Sequence, residues 1–258
     1  GLLLPFIFLY ILFLFNNKIY SKQQFEELNL PLPLLGEIPE VSETSVLTIN
    51  SSNDRSPLAE SFRVLSSNLK FFAKNVKNQS EVIMVTSTIK GEGKTFSAIN
   101  LAYTYASLNK KVLIIGADLH NPQIHAYLNI DKDNEGLTDL LSGNISNWKD
   151  VIRKTNNDID CDVIIGGPIP PNPAQLLNNG NLEKLLKNLK TEYDYIIIDT
   201  PPCLLVSDTF SISRLSDYMI FVVRCNYTDI DVLDFIKGSA QKGLISENSM
   251  FLLNGLGA

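Results

Sequence analysis

Apolar residues fall into three kinds of pattern along the chain. From Leu2 to Phe15 they run almost without interruption. Between Pro57 and Phe72 they recur at helical spacing, with Leu58, Phe62, Leu65 and Leu69 on one face. From residue 81 onward they gather into short continuous runs: VIMVTS (82–87), KVLIIGA (111–117), DVIIGG (162–167), YIIID (195–199), YMIFVVR (218–224) and MFLLN (250–254). Helical stretches separate these runs. A run that is apolar at every position predicts a strand buried on both faces, as in a parallel sheet covered by helices. The expected fold is α/β, a doubly wound and mainly parallel sheet over residues 57–258.

The N-terminal run of 14 residues carries no charge. A spanning helix needs about 20 residues. A signal peptide would need a basic start and a small-residue cleavage site, and a buried helix would need a polar face. Residues 1–17 are therefore expected to be the C-terminal part of a transmembrane helix, in a longer polypeptide of which this is a piece. Lys18 and Lys22 then flank it on the cytoplasmic side. Residues 18–56 are expected to be a juxtamembrane linker. Within it, residues 21–28 predict a short helix capped by Ser21. PLPLLGEIP then predicts an extended or turn-rich stretch, and Ser56-Pro57 opens the next helix with Pro at its first position.

Composition adds limits. Of the 258 residues 45% are apolar, enough for a full core, and the net charge is −6. With no Lys/Arg-rich run, a nucleic-acid partner is not expected. Cys161, Cys203 and Cys225 are too scattered for a metal site and are expected as buried thiols. His120 and His125 lack a third ligand nearby, so no metal site is expected of them. Trp148, Tyr103 and Tyr105 are expected to pack as core.

The candidate chemistry begins after the run 82–87. TIKGEGKT, residues 88–95, sits between a predicted strand and a predicted helix. It matches the phosphate loop GxxxxGK[ST] except that Thr88 stands where the first glycine would be. Gly91 and Gly93 allow positive φ, so that backbone N–H groups face phosphates. Lys94 is expected to reach the β- and γ-phosphates, and the Thr95 hydroxyl to bind Mg²⁺. The expected nucleotide-binding set is Thr88, Gly91, Glu92, Gly93, Lys94, Thr95 and Phe96, with Asn254, after the last strand, as a possible base contact. ATP and Mg²⁺ are the expected ligands.

Two acidic strand ends complete the site. Asp199 closes YIIID at the carboxyl end of a strand, where α/β sheets bind ligands, and is expected to hold Mg²⁺ directly or through water. Asp118 follows KVLIIGA and is expected to orient an attacking hydroxyl or hold metal-bound water, or else to cap the helix after Pro122. Lys94, Asp118 and Asp199 are the expected catalytic residues; Thr95, Asp118 and Asp199 are the expected metal ligands.

Together these motifs are familiar. STIKGEGKT, IIGADLHNPQIH, EGLTDLLSG (135–143), GGPIPPNPAQLL (166–177) and YDYIIIDTPPCLLVSDT (193–209) occur in the order seen in one family. From residue 2 to 254 the chain resembles the cytoplasmic kinase module of bacterial tyrosine kinases (BY-kinases) of the capsular and exopolysaccharide type. The resemblance implies a MinD/ParA-like P-loop fold and ATP-dependent tyrosine phosphorylation in trans between subunits of a ring. It also implies a second transmembrane helix in the bacterial inner membrane, behind an absent periplasmic domain, and the polysaccharide assembly machinery as partner. Lys94, Thr95, Asp118 and Asp199 fall on the family's ATP and magnesium positions. Glu60 and Arg63 match two positions of the ring-contact motif ExxRxxR, and Ser66 replaces its last Arg. Gly116 and His120 stand where DxDxR has Asp and Arg, and no Tyr follows Tyr227. Lys90 lies beside the position of the extra Lys of the partition ATPases. The alternative functions are a nucleotide-binding chain-length regulator with weak or no kinase activity, or a MinD/ParA-like ATPase.

Overall fold

In the computed structural model, residues 17–41, 48–49, 51–72, 80–155, 158–204 and 208–257 are described. The expected transmembrane segment and most of residues 42–50 lie outside them. Among the described residues no helix is long and apolar enough to cross a membrane.

The described elements are α1 (Lys22–Glu27), β1 (Leu34–Pro39), α2 (Pro57–Phe72), β2 (Glu81–Ser87), α3 (Lys94–Ser107), β3 (Val112–Gly116), α4 (Ile124–Tyr127) and α5 (Leu137–Ser142). After a 3₁₀ turn at Trp148–Asp150 come β4 (Arg153–Lys154), β5 (Asp162–Ile164), α6 (Pro173–Leu177), α7 (Asn181–Leu189), β6 (Tyr195–Asp199), α8 (Asp208–Ser213), β7 (Tyr218–Arg224), α9 (Ile230–Gln241) and β8 (Ser249–Leu256). The strands form a single eight-stranded sheet in the order β1-β8-β7-β2-β6-β3-β5-β4. Every pairing is parallel except that of β4 with β5.

The six expected strands are present. The central ones, β3 and β6, are buried at every position, because each side chain meets one of two helical layers. One core lies under α2 and α3, with Phe62, Leu65, Ile99 and Tyr105. The other lies under α1, α7 and α9, with Phe25, Leu186, Ile236 and Phe251. Leu58, Phe62, Leu65 and Leu69 of α2 all face inward. Tyr105 stacks on Tyr195 at 3.9 Å. The three cysteines are buried and free.

Residues 18–56 are the expected juxtamembrane linker, and β1, Ile19 and Phe25 within them pack on the sheet. Ser21 caps α1 as expected, accepting from Gln24 N. Beyond it, β1 pairs in parallel with β8 as the edge of the sheet. Ile19 is fully buried, and Phe25 meets Phe251 edge-on at 5.2 Å. Of the three prolines in PLPLLGEIP, Pro31 and Pro33 precede the strand and Pro39 is its last residue, which an edge strand tolerates.

Candidate active site

The crossover from β2 through α3 to β3 passes over β6, which lies between those two strands. The carboxyl ends of β2, β3 and β6 therefore converge. The loop after β2 turns into α3 at Lys94, so the start of a 14-residue helix points its free N–H groups into this space. Gly91 has φ 92° and Gly93 has φ 97°, the left-handed values that L side chains avoid. Space makes the same demand. A Cβ on Gly93 would come within 2.2 Å of Asn254 Nδ2, and one on Gly91 within 2.8 Å of the Tyr227 hydroxyl.

The carbonyls of the loop are capped from one side. Tyr227 Oη donates to Lys90 O at 2.9 Å, Arg224 Nη1 to Gly91 O at 3.1 Å, and Asn254 Nδ2 to Glu92 O at 2.9 Å. A trans peptide sets its N–H opposite its C=O. The N–H groups of Gly91, Glu92 and Gly93 are therefore turned away from these three side chains.

Four side chains meet at the helix start. Lys94 Nζ lies 3.0 Å from Asp118 Oδ2 and 3.9 Å from Asp199 Oδ1. Thr95 Oγ1 donates to Asp199 Oδ2 at 2.8 Å. All four residues are buried. Burial pulls the Lys94 pKa down, but Asp199 and Asp118 outweigh it and the net shift is upward. For Asp199 burial dominates and lifts the pKa to about 6, against the opposing pull of Lys94 and Thr95. Its Oδ1 is buried with no hydrogen-bond partner. Asp118 also accepts from Asn121 N at 3.0 Å, so it holds the following turn as well as Lys94.

Other expected binding residues take different places. Thr88 and Glu92 are fully buried, and their side chains bond each other instead of facing the cavity. Phe96 packs edge-on against Phe62 at 6.1 Å, so its ring serves the core while it borders the cavity. Asn254 lies within β8, not after it, and props the loop through Glu92 O. It still lines the cavity of about 490 Å³ beside Gly91, Lys94, Thr95 and Tyr227. A smaller cavity of about 260 Å³ lies against Lys94, Asp118, His120, Pro201 and Pro202. Sequence reasoning missed Arg224, Tyr227 and Thr228, because only the pairing of β7 with β2 brings their turn beside the phosphate loop.

The family model described as an AAA domain matches residues 80–239. The tyrosine-protein kinase YwqD of Bacillus subtilis is 36% identical over 171 residues, 66% of this chain and 70% of YwqD. The solved kinase domain of the Escherichia coli tyrosine kinase ETK superposes with a TM-score of 0.79 at 26% identity, over 93% of this chain and 95% of that one. The chain belongs to the bacterial tyrosine kinase family. The septum site-determining protein MinD with Mg-ADP from Pyrococcus horikoshii, at 23% identity and a TM-score of 0.54 over 65% of this chain and 67% of that one, shares its fold.

Two more residues expected at the site, Gly116 and His120, take these places in this bacterial tyrosine kinase. Gly116 pairs with Asp199 in register. A Cβ there would meet Gly166 N at 3.1 Å and Ile124 Cδ1 at 3.4 Å, so the strand end is packed closely around a glycine. His120 is exposed at the rim of the smaller cavity. Among the described residues, the strand-end carboxylates that meet Lys94 are those of Asp118 and Asp199. Among the described residues no group of three His, Cys, Asp or Glu side chains is placed to hold a metal ion.

Proposed function

We propose that this chain transfers the γ-phosphoryl group of ATP to tyrosine hydroxyls. The observation that carries the proposal is Lys94 held between Asp118 and Asp199, carboxylates from separate strands, at the start of α3. A cavity of about 490 Å³ is of the size that takes a nucleotide. Binding of the triphosphate draws Lys94 to the phosphates and frees Asp118 Oδ2. Asp118 then accepts the proton of an incoming phenol from the side of the smaller cavity. The phenol oxygen bonds to the γ-phosphorus as the bond to the β-phosphate oxygen breaks, and Lys94 balances the charge left on ADP.

Magnesium fits the residues present. Asp199 offers a buried oxygen with no hydrogen bond beside the Thr95 hydroxyl, and Mg²⁺ takes few protein oxygens alongside phosphate oxygens and water. When bound, the ion neutralises charge on the β- and γ-phosphates.

The same reading extends to the whole protein. It works as an autokinase that regulates polysaccharide polymerisation and export at the inner membrane, assembled as a ring through α2. Glu60 is exposed on that helix and pairs with half-buried Arg63 at 3.0 Å, and Arg63 also donates to Asp54 O, so a ring contact through Arg63 would draw on a group already bonded within the chain. Ser66 is buried and donates to Arg63 O, so the third motif position faces inward. The test is Lys94→Met in the full-length protein, read with an anti-phosphotyrosine antibody. Phosphotyrosine should vanish. An undiminished signal rejects the kinase reading.

A further inference from the structure

Glu92 is an acid enclosed in a loop built for a polyanion, and the transfer reaction gives it no task. It is fully buried. Among the described residues no cation pairs with it; hydroxyl and amide groups surround it instead. Thr88 Oγ1 spans both carboxylate oxygens at 2.7 and 2.8 Å, and Ile89 N donates to Oε2 at 2.7 Å. The third partner, Thr228 Oγ1, comes from the turn between β7 and α9 and meets Oε1. Thr228 Oγ1 already accepts Arg224 N–H at 3.1 Å, so its own hydrogen goes to Glu92. Both oxygens of Glu92 are thus hydrogen-bonded; burial lifts its pKa, and the bonds from Thr228, Ile89 and Thr88 pull against that lift.

The surroundings explain why such a group is needed. Thr88 occupies the position where phosphate loops carry a glycine. The bond to Glu92, four residues on, closes the loop through side chains. Thr228 ties that closure to the turn whose Arg224 and Tyr227 cap Gly91 O and Lys90 O. Loop and turn are therefore joined by side-chain hydrogen bonds from Arg224, Tyr227 and Thr228.

We propose that Glu92 is a positioning residue: clasped by Thr228, it holds residues 88–92 in the curve that turns the N–H groups of residues 91–93 toward a bound polyphosphate. This rests on the nucleotide-binding part of the reading above, and not on transfer to tyrosine. A preformed cradle binds more tightly because the loop has little ordering left to lose.

The test uses Thr228→Val, which removes the hydroxyl at nearly constant volume, and Thr228→Ser, which keeps it. Glu92→Gln is the partner variant. Affinities for Mg-ATP and for inorganic tripolyphosphate are measured by calorimetry on the full chain, with thermal melting alongside. Thr228→Val should weaken both ligands about tenfold or more, the scale of one buried hydrogen bond left unmade. Thr228→Ser should stay within about twofold, and the melting temperatures of both should match the wild type within a few degrees. Wild-type affinity in Thr228→Val overturns the proposal. So does an equal loss in Thr228→Ser. If the Thr228 pair behaves as stated in a protein without kinase activity, the clasp stands and the kinase reading falls. Glu92→Gln should lose affinity as Thr228→Val does; if it unfolds instead, the Thr228 pair decides.

Discussion

Thr95 and Asp199, 104 residues apart, are joined by a 2.8 Å hydrogen bond that uses one carboxylate oxygen and leaves the other buried with no hydrogen bond, 3.9 Å from Lys94 Nζ. That second oxygen is the natural ligand for Mg²⁺, and the raised pKa of about 6 sets when it is available. Above pH 6 the group is ionised. Below it a proton competes with the metal. Apparent Mg²⁺ affinity in the presence of ATP should therefore fall about tenfold between pH 7.5 and pH 5. Magnesium titrations at the two pH values check this, and equal affinities reject Asp199 as the ligand.

The same shift makes Asp199 a cost to the nucleotide-free fold. Its pKa in the folded state lies above the ordinary 3.8, so between pH 3.8 and about 6 the folded chain holds a proton that the unfolded chain has released. Stability from this group is full below 3.8 and falls as pH rises to about 6. At pH 7 the ionised carboxylate costs about 3 kcal/mol. Asp199→Asn should thus melt at or above the wild-type temperature at pH 7 without ligand, with the advantage shrinking at pH 5, while Mg²⁺ binding is lost. A melting temperature several degrees below wild type at pH 7 contradicts the burial argument.

Glycine requirements differ across the molecule. Gly93→Ala forces a side chain onto φ 97° and onto Asn254 Nδ2, which caps Glu92 O. Mg-ATP binding should drop at least tenfold, because displacing Asn254 frees the carbonyl it holds. Gly143 ends α5 at φ 82° with open space around it. Gly143→Ala should cost about 1 kcal/mol of stability and leave ATP affinity intact. Nucleotide binding by calorimetry, paired with urea unfolding, separates the two.

What the sequence made legible was whatever local pattern encodes. β2, β3, β6 and β7 announce themselves because both faces of each strand are covered, so the apolar run is unbroken. Lys94, Asp118 and Asp199 could be placed because strand ends in a parallel sheet converge on one edge. The direction of Glu92 could not be read, since residues in a six-residue loop have no periodicity to fix their facing. Nor could the clasp from Arg224, Tyr227 and Thr228, which depends on strand order. β1 was read only as an extended stretch, because Gly36 and Glu37 interrupt its apolar positions and prolines flank it.

That strand leads to the last prediction, on where the domain begins. Residues 17–39 contribute more than an edge. Ile19 N donates to Thr228 O at 3.1 Å, and Lys18 pairs with Asp229 at 2.8 Å, so this segment also braces the turn that clasps the phosphate loop. Phe25 closes the lower core against Phe251. Phe25→Ala should destabilise the chain by about 3–5 kcal/mol, the range for emptying a buried aromatic site. A chain starting at Pro57 should be worse still, because it exposes Phe251 and leaves β8 as an unpaired edge prone to aggregation. Urea unfolding of Phe25→Ala and the soluble yield of the shortened chain test this. If the chain from Pro57 is soluble and melts like the longer one, then residues 17–39 are the linker that their composition suggests.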